Sequence, residues 1–166
     1  MATYFKSCLV PIAILMISLP VMSQSNPLIG VWRLTAADKI LPDGRQVADF
    51  GEVPRGIAIF TANGHYVVEI FQTDRIKSAA ADDIKDAPED YEKYKDTLLN
   101  ISCHFGTYTV NAAKGFITFH IDRASHSDWD ETTSVRSFTL EGDKLVWRVP
   151  PRPDGSIPVS VFRRIP

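Results

Sequence analysis

Cysteine is scarce in this chain: Cys8 and Cys103 are the only two among 166 residues, too few for a disulfide framework. A basic block is missing as well. Lys and Arg number 18 against 20 Asp and Glu, a formal charge of -2, so the electrostatic footprint of a nucleic-acid binder is absent. There is no glycine-rich phosphate loop, no dinucleotide fingerprint, no Gly-x-Ser-x-Gly elbow and no Cys-x-x-Cys, which removes nucleotide cofactors and the common hydrolase triads. The four histidines, His65, His104, His120 and His126, never fall at His-x-His or i,i+4 spacing, so neither a dedicated metal site nor a cofactor is expected. What remains, 45% hydrophobic and 23% charged residues, is the composition of one ordinary globular domain.

The apolar residues are unevenly placed. Met1 to Lys6 carries one positive charge, Ser7 to Met22 carries none, and Val21 and Ser23 stand at the minus-three and minus-one positions of a cut after Ser23. This is the layout of a secretory signal peptide over residues 1–23. As a membrane anchor the run falls short of the roughly 18 residues a span needs, and Pro11 and Pro20 interrupt it. Cleavage removes Lys6, shifts the charge to -3 and leaves residues 24–166 as the mature chain. The expected location is therefore outside the cell, or the periplasm in a Gram-negative host, with no stable membrane span. Cys103, then the sole cysteine, forms no internal disulfide and reads as a small buried hydrophobe rather than a nucleophile. Asn100-Ile101-Ser102 is an N-glycosylation acceptor at Asn100 if the host is a eukaryote.

From Leu28 onward short apolar runs alternate with turn signals. Strands are expected at Ile29 to Thr35, Ile57 to Thr61, His65 to Phe71, Cys103 to Val110, Phe116 to Asp122, Thr132 to Leu140, Leu145 to Val149 and Ile157 to Arg164. Between them lie Pro42-Asp43-Gly44, Ala62-Asn63-Gly64, Asn111 to Gly115, Glu141-Gly142-Asp143 and Pro153-Asp154-Gly155, whose Asn-Gly and Asp-Gly pairs supply the positive φ of tight hairpins. Links of that length indicate an antiparallel barrel or sandwich rather than parallel βαβ units. One stretch breaks the pattern. Asp74 to Asn100 is rich in Ala, Asp, Lys and Glu, Pro88 suits a first helical position, and Tyr91, Tyr94, Leu98 and Ile101 share a helical stripe. A helix packed across one barrel end is expected there, with Tyr91 and Tyr94 either docking it or touching what lies inside.

Gly30-Val31-Trp32 at the start of the first strand and Arg163-Arg164 in the last resemble the lipocalin signature. The ordered series LIGVWRL (28–34), PDGR (42–45), FGEVPRG (50–56), TANGH (61–65), His120 to Asp122, Trp129, Val135 to Phe138 and Gly142 to Leu145 resembles the lipocalin-like domain family of small bacterial and fungal proteins. The resemblance spans nearly all of the mature chain. It departs from the extracellular lipocalins proper in lacking their disulfide pairs and mid-chain motif. It implies an all-β, up-and-down antiparallel barrel of about eight strands over 24–166. It also implies Gly30, Trp32 and Arg163 as the end-sealing signature, with the arginine stacked on the indole.

Polar groups embedded in strands are the remaining candidates for chemistry. His104 and Tyr108 share a face of one strand, His120 and Asp122 share a face of the next, and Arg136 lies with Phe138 on a neighbour. Facing inward, they would set an imidazole, a phenol, a carboxylate and a guanidinium among aromatic walls; facing outward they are ordinary surface residues. The leading function is a secreted barrel binding a small, largely apolar molecule, with Tyr91, Tyr94, Trp129, Arg136 and Phe138 as candidate contacts. The alternative is a cofactor-free isomerase or cyclase acting on a natural-product intermediate, with His104, Tyr108 or His120 as its acid or base.

Overall fold

The computed structural model describes residues 26–74, 95 and 99–166. Residues 1–23, Tyr91, Tyr94 and all but Asp74, Lys95, Leu99 and Asn100 of the stretch expected to be helical lie outside the described residues.

The described chain is almost entirely strand: β1 (Gly30–Ile40), β2 (Gln46–Ala48), β3 (Arg55–Phe60), β4 (His65–Phe71), β5 (Ile101–Asn111), β6 (Phe116–Ala124), β7 (Thr133–Glu141), β8 (Lys144–Arg148) and β9 (Ile157–Ile165). All eight expected strands form, seven of them within two residues of their expected ends, while β1 runs five residues beyond Thr35. Every pairing is antiparallel, neighbour to neighbour from β3 to β9, and β1 pairs with both β3 and β9. The seam runs from Val31↔Ile165 to Ile40↔Ile157 and closes the sheet on itself. The result is an eight-stranded barrel in which β2 only lengthens the free edge of β1, through Asp38↔Ala48 to Ile40↔Gln46. With no open edge along the seam, the backbone donors of β1 and β9 are spent inside the wall.

Two bulges shape that wall. In β1 an extra residue at Thr35 separates Leu34↔Phe162 from Ala36↔Val161, so Leu34 and Ala37 both reach the core. Alternation in the sequence breaks at this point, and for that reason the sequence reading ends the strand at Thr35 while the structure carries it to Ile40. The second bulge opposes Phe105↔Arg123 and Gly106↔Ile121, leaving Asp122 as the extra residue. It keeps Ile121 buried, holds Arg123 exposed, and sets Ala124 opposite His104.

One end of the barrel is sealed by the residues before β1. The indole N–H of Trp32 donates to the Leu28 carbonyl at 2.8 Å, and both residues are fully buried. Arg164 lies flat on the Trp32 ring, 4.0 Å from its centroid, and donates at 2.6 Å to each of the Ile29 and Pro27 carbonyls. The sealing arginine is thus Arg164, not Arg163. Register decides it: Trp32 pairs with Arg164, while the next side chain, Arg163, turns to the outer face and binds the Asp143 carboxylate at 2.8 Å. Gly30 leaves room for this stack, because a Cβ there would sit 2.9 Å from Arg164 Nη1 at a φ of +132°. Tyr108 completes the seal. Its hydroxyl donates to the Thr61 carbonyl at 2.9 Å and accepts from Asn26 Nδ2 at 2.8 Å.

Candidate functional site in the barrel interior

The inward faces are aromatic over much of their area. Phe60, Tyr66, Tyr108, Phe119, Trp147 and Phe162 are all buried, with adjacent ring centroids 4.3 to 6.5 Å apart, most of them edge-on or tilted. Ala37, Ala58 and Ser160 are buried with them and bring far less side-chain volume. Into this wall the sheet sets two groups that ordinarily avoid burial, His104 and Arg136. His104 comes from β5, directly across from Val68 of β4, and Arg136 from β7, across from Ile117 of β6.

The two are in contact. Arg136 Nη2 lies 3.1 Å from His104 Nε2, and His104 Nδ1 lies 2.9 Å from the Tyr66 hydroxyl. A guanidinium only donates, so Nε2 is the acceptor and the ring proton sits on Nδ1. Nδ1–H therefore donates to Tyr66 Oη, and the hydroxyl proton of Tyr66 stays free for another acceptor. Arg136 also stacks over Phe119 at 4.6 Å and Trp147 at 5.8 Å, and its Nε–H reaches Ser134 Oγ at 3.4 Å. Trp129, on the 3-10 turn Ser127–Trp129, places its ring 6.2 Å from that of His104. The indole Nε1–H of Trp147 is the sole buried side-chain polar atom without a hydrogen-bond partner among the described residues.

Burial governs the charges here. It holds His104 well below the ordinary histidine value of 6.5, and the neighbouring Arg136 cation adds to the effect. Burial likewise pushes Arg136 down to about 10 and raises the Tyr66 phenol. A histidine kept neutral in the fold binds fewer protons than the same residue in the unfolded chain. Stability is then full above the unfolded histidine value and falls as pH drops below it. In urea unfolding from pH 7 to pH 5, the wild type is expected to lose up to about 1.4 kcal/mol per pH unit more than His104→Gln below about pH 6.5. Parallel pH profiles for the two proteins would remove His104 from this role.

The expected site residues separate cleanly. His104, Arg136, Trp129 and the half-buried Phe138 come together around the interior. Tyr108 faces inward too, but both its hydroxyl bonds belong to the sealed end. His120 does not join them. Ile117, Phe119 and Ile121 take the inward face of β6, so His120 and Asp122 are exposed, with His120 Nδ1 at 3.2 Å from Thr133 Oγ1. Tyr66 and Trp147 belong to the cluster and escape a sequence reading. Tyr66 reaches His104 diagonally across β4 and β5, a relation that appears only once Val68↔His104 fixes the register. Cys103 is half-buried, and burial followed by the nearby Glu69 raises its thiol, the reverse of an activated nucleophile. Among the described residues no three His, Cys, Asp or Glu side chains gather as metal ligands, and no helix is long and apolar enough to cross a membrane.

A closed antiparallel barrel sealed by a tryptophan–arginine stack is a lipocalin-type architecture. The family profile described as lipocalin-like domain matches residues 29–164, and the chain belongs to that family. Among solved structures it is similar to a lipocalin-like protein from Bacteroides uniformis, at 16% identity over 83% of this chain and 98% of that one, with a TM-score of 0.41. It is also similar to an uncharacterized protein from Bacteroides eggerthii, at 15% identity over 83% and 99% of the two chains, with a TM-score of 0.40. No curated protein matches it.

Proposed function

We propose that this protein is exported, with residues 1–23 removed, and that it holds a small, largely apolar molecule inside its barrel. The observation that carries the binding reading is the unpartnered indole N–H of Trp147. A buried N–H without a partner costs about 1 to 3 kcal/mol, a penalty that a guest with an acceptor atom would lift. The free proton on Tyr66 adds a second donor against the same aromatic wall. At about 25 cal/mol per Å2, a guest hiding roughly 300 Å2 of apolar surface would gain about 7.5 kcal/mol before the costs of association. With His120 outside and the Tyr108 hydroxyl spent, an isomerase or cyclase in the same interior would have to work through Tyr66 and His104, so the carrier reading is preferred.

Intact-mass spectrometry under native conditions, on protein purified from the culture supernatant or periplasm of its own host, tests both parts at once. The expected spectrum shows a chain starting at Gln24 with an additional small-molecule mass that disappears on denaturation. A chain retaining residues 1–23 would refute export with cleavage, and a bare chain from every preparation would refute the carrier.

A further inference from the structure

Four other arginines in this fold have acids beside them. Arg152 grips Asp49 through two bonds of 3.0 and 2.7 Å, Arg163 holds Asp143, Arg45 holds Asp43, and Arg123 holds Glu131. Arg136 is the most buried of those five, and among the described residues it has no carboxylate within ion-pairing distance. The guanidinium carries five N–H donors; Ser134 and His104 take one each, which leaves three without a partner among the described residues. Stacking on Phe119 and Trp147 offsets part of the desolvation and none of the net charge. A buried cation without a counter-charge costs stability, and an anion placed against it would offset that cost.

We propose that the counter-charge comes with the guest: Arg136 receives the carboxylate of an apolar acid bound inside the barrel. The proposal rests on the carrier reading above and names the class of its ligand. The unspent N–H groups on Nη1 and Nη2 form a planar fork that matches a carboxylate edge. His104 fixes the orientation of that fork, since its Nε2 can only accept and so anchors Nη2. Tyr66, in turn, takes the Nδ1 proton and keeps the imidazole in that tautomer. The aromatic wall accommodates the hydrocarbon body. His104 and Tyr66 are positioning residues here; Arg136 alone bears the charge.

The test uses N-phenyl-1-naphthylamine, an uncharged probe that fluoresces in apolar surroundings, displaced by decanoate, decanol or decylammonium. With wild-type protein at pH 7.5, decanoate is expected to displace the probe at a concentration at least about tenfold below that of decanol, with decylammonium the weakest. In Arg136→Met the probe still binds and the decanoate-to-decanol ratio falls to about one, while Arg136→Lys keeps part of the preference. Equal competition by decanol and decanoate in the wild type would overturn the anionic inference and leave the carrier reading standing. That arm needs no variant, so a misfolded Arg136→Met would not rescue the idea. A probe that never binds the wild type would strike the carrier reading itself, and this inference with it.

Discussion

Trp32→Ala should unfold most of this protein's stability margin. The ring is fully buried, so its removal costs about 3 to 5 kcal/mol in lost burial and residual void. The Arg164 guanidinium stacked 4.0 Å away loses its partner, adding about 1 kcal/mol, and the Leu28 carbonyl loses its N–H donor. Against a typical stability of roughly 5 to 15 kcal/mol, the variant is expected at the edge of folding. Chemical denaturation gives the number. Trp32→Phe, which retains a ring under Arg164, should lose less than half as much. Arg163→Ala should change stability by less than about 1 kcal/mol, because its pair with Asp143 is exposed. If Arg163→Ala proves as damaging as Arg164→Ala, the assignment of the sealing arginine is wrong.

Gly106→Ala is expected to be nearly as severe, for a different reason. The β5–β6 bulge brings the neighbouring strand so close that a Cβ on Gly106 would overlap the His120 carbonyl oxygen and stand 2.9 Å from the Asp122 amide. Both obstacles are backbone, held by the sheet, and the φ of +154° is one that side-chain-bearing residues rarely adopt. Overpacking with added backbone strain predicts a loss on the order of 3 to 5 kcal/mol. Thr107→Ala, one position along on the exposed face, is the control and should stay within about 1 kcal/mol. Tyr66 pairs with Gly106 in register, so the variant should also disturb the Tyr66–His104 contact, visible as a change in the near-ultraviolet circular dichroism. A Gly106→Ala protein as stable as Thr107→Ala would mean that the two strands slide apart without cost.

The barrel was legible because antiparallel walls write themselves into sequence as alternation punctuated by turns. Leu145 and Trp147 against Val146 and Arg148, or Ile117, Phe119 and Ile121 against Thr118 and His120, state which face is buried. Where a bulge adds a residue the alternation loses phase, and the second half of β1 vanished from view at Thr35 for that reason. The strand β2 pairs over only Gln46 to Ala48, too short for any period to register. The site was harder because it depends on register between strands, which no local pattern encodes. His104 and Arg136 stood out as polar residues within apolar strands, yet their contact crosses 32 positions of sequence and three strands of wall. His120 stood out equally and turned outward, as its own apolar neighbours Phe119 and Ile121 indicate. Arg163 and Arg164 are adjacent, and only the pairing Trp32↔Arg164 tells them apart.

The seam between β1 and β9 joins the first and the last strand of the barrel in chain order. Val31 meets Ile165 across more than a hundred intervening positions, and that loop must close before the cylinder exists. A growing polypeptide has hairpins such as β3–β4 available early, but its first long strand keeps one side unsatisfied until the last nine residues of the wall arrive. Closure of the barrel is therefore postponed until β9 has been made. Deleting β9 would not trim the barrel; it would leave an open, sticky sheet where a cylinder should be.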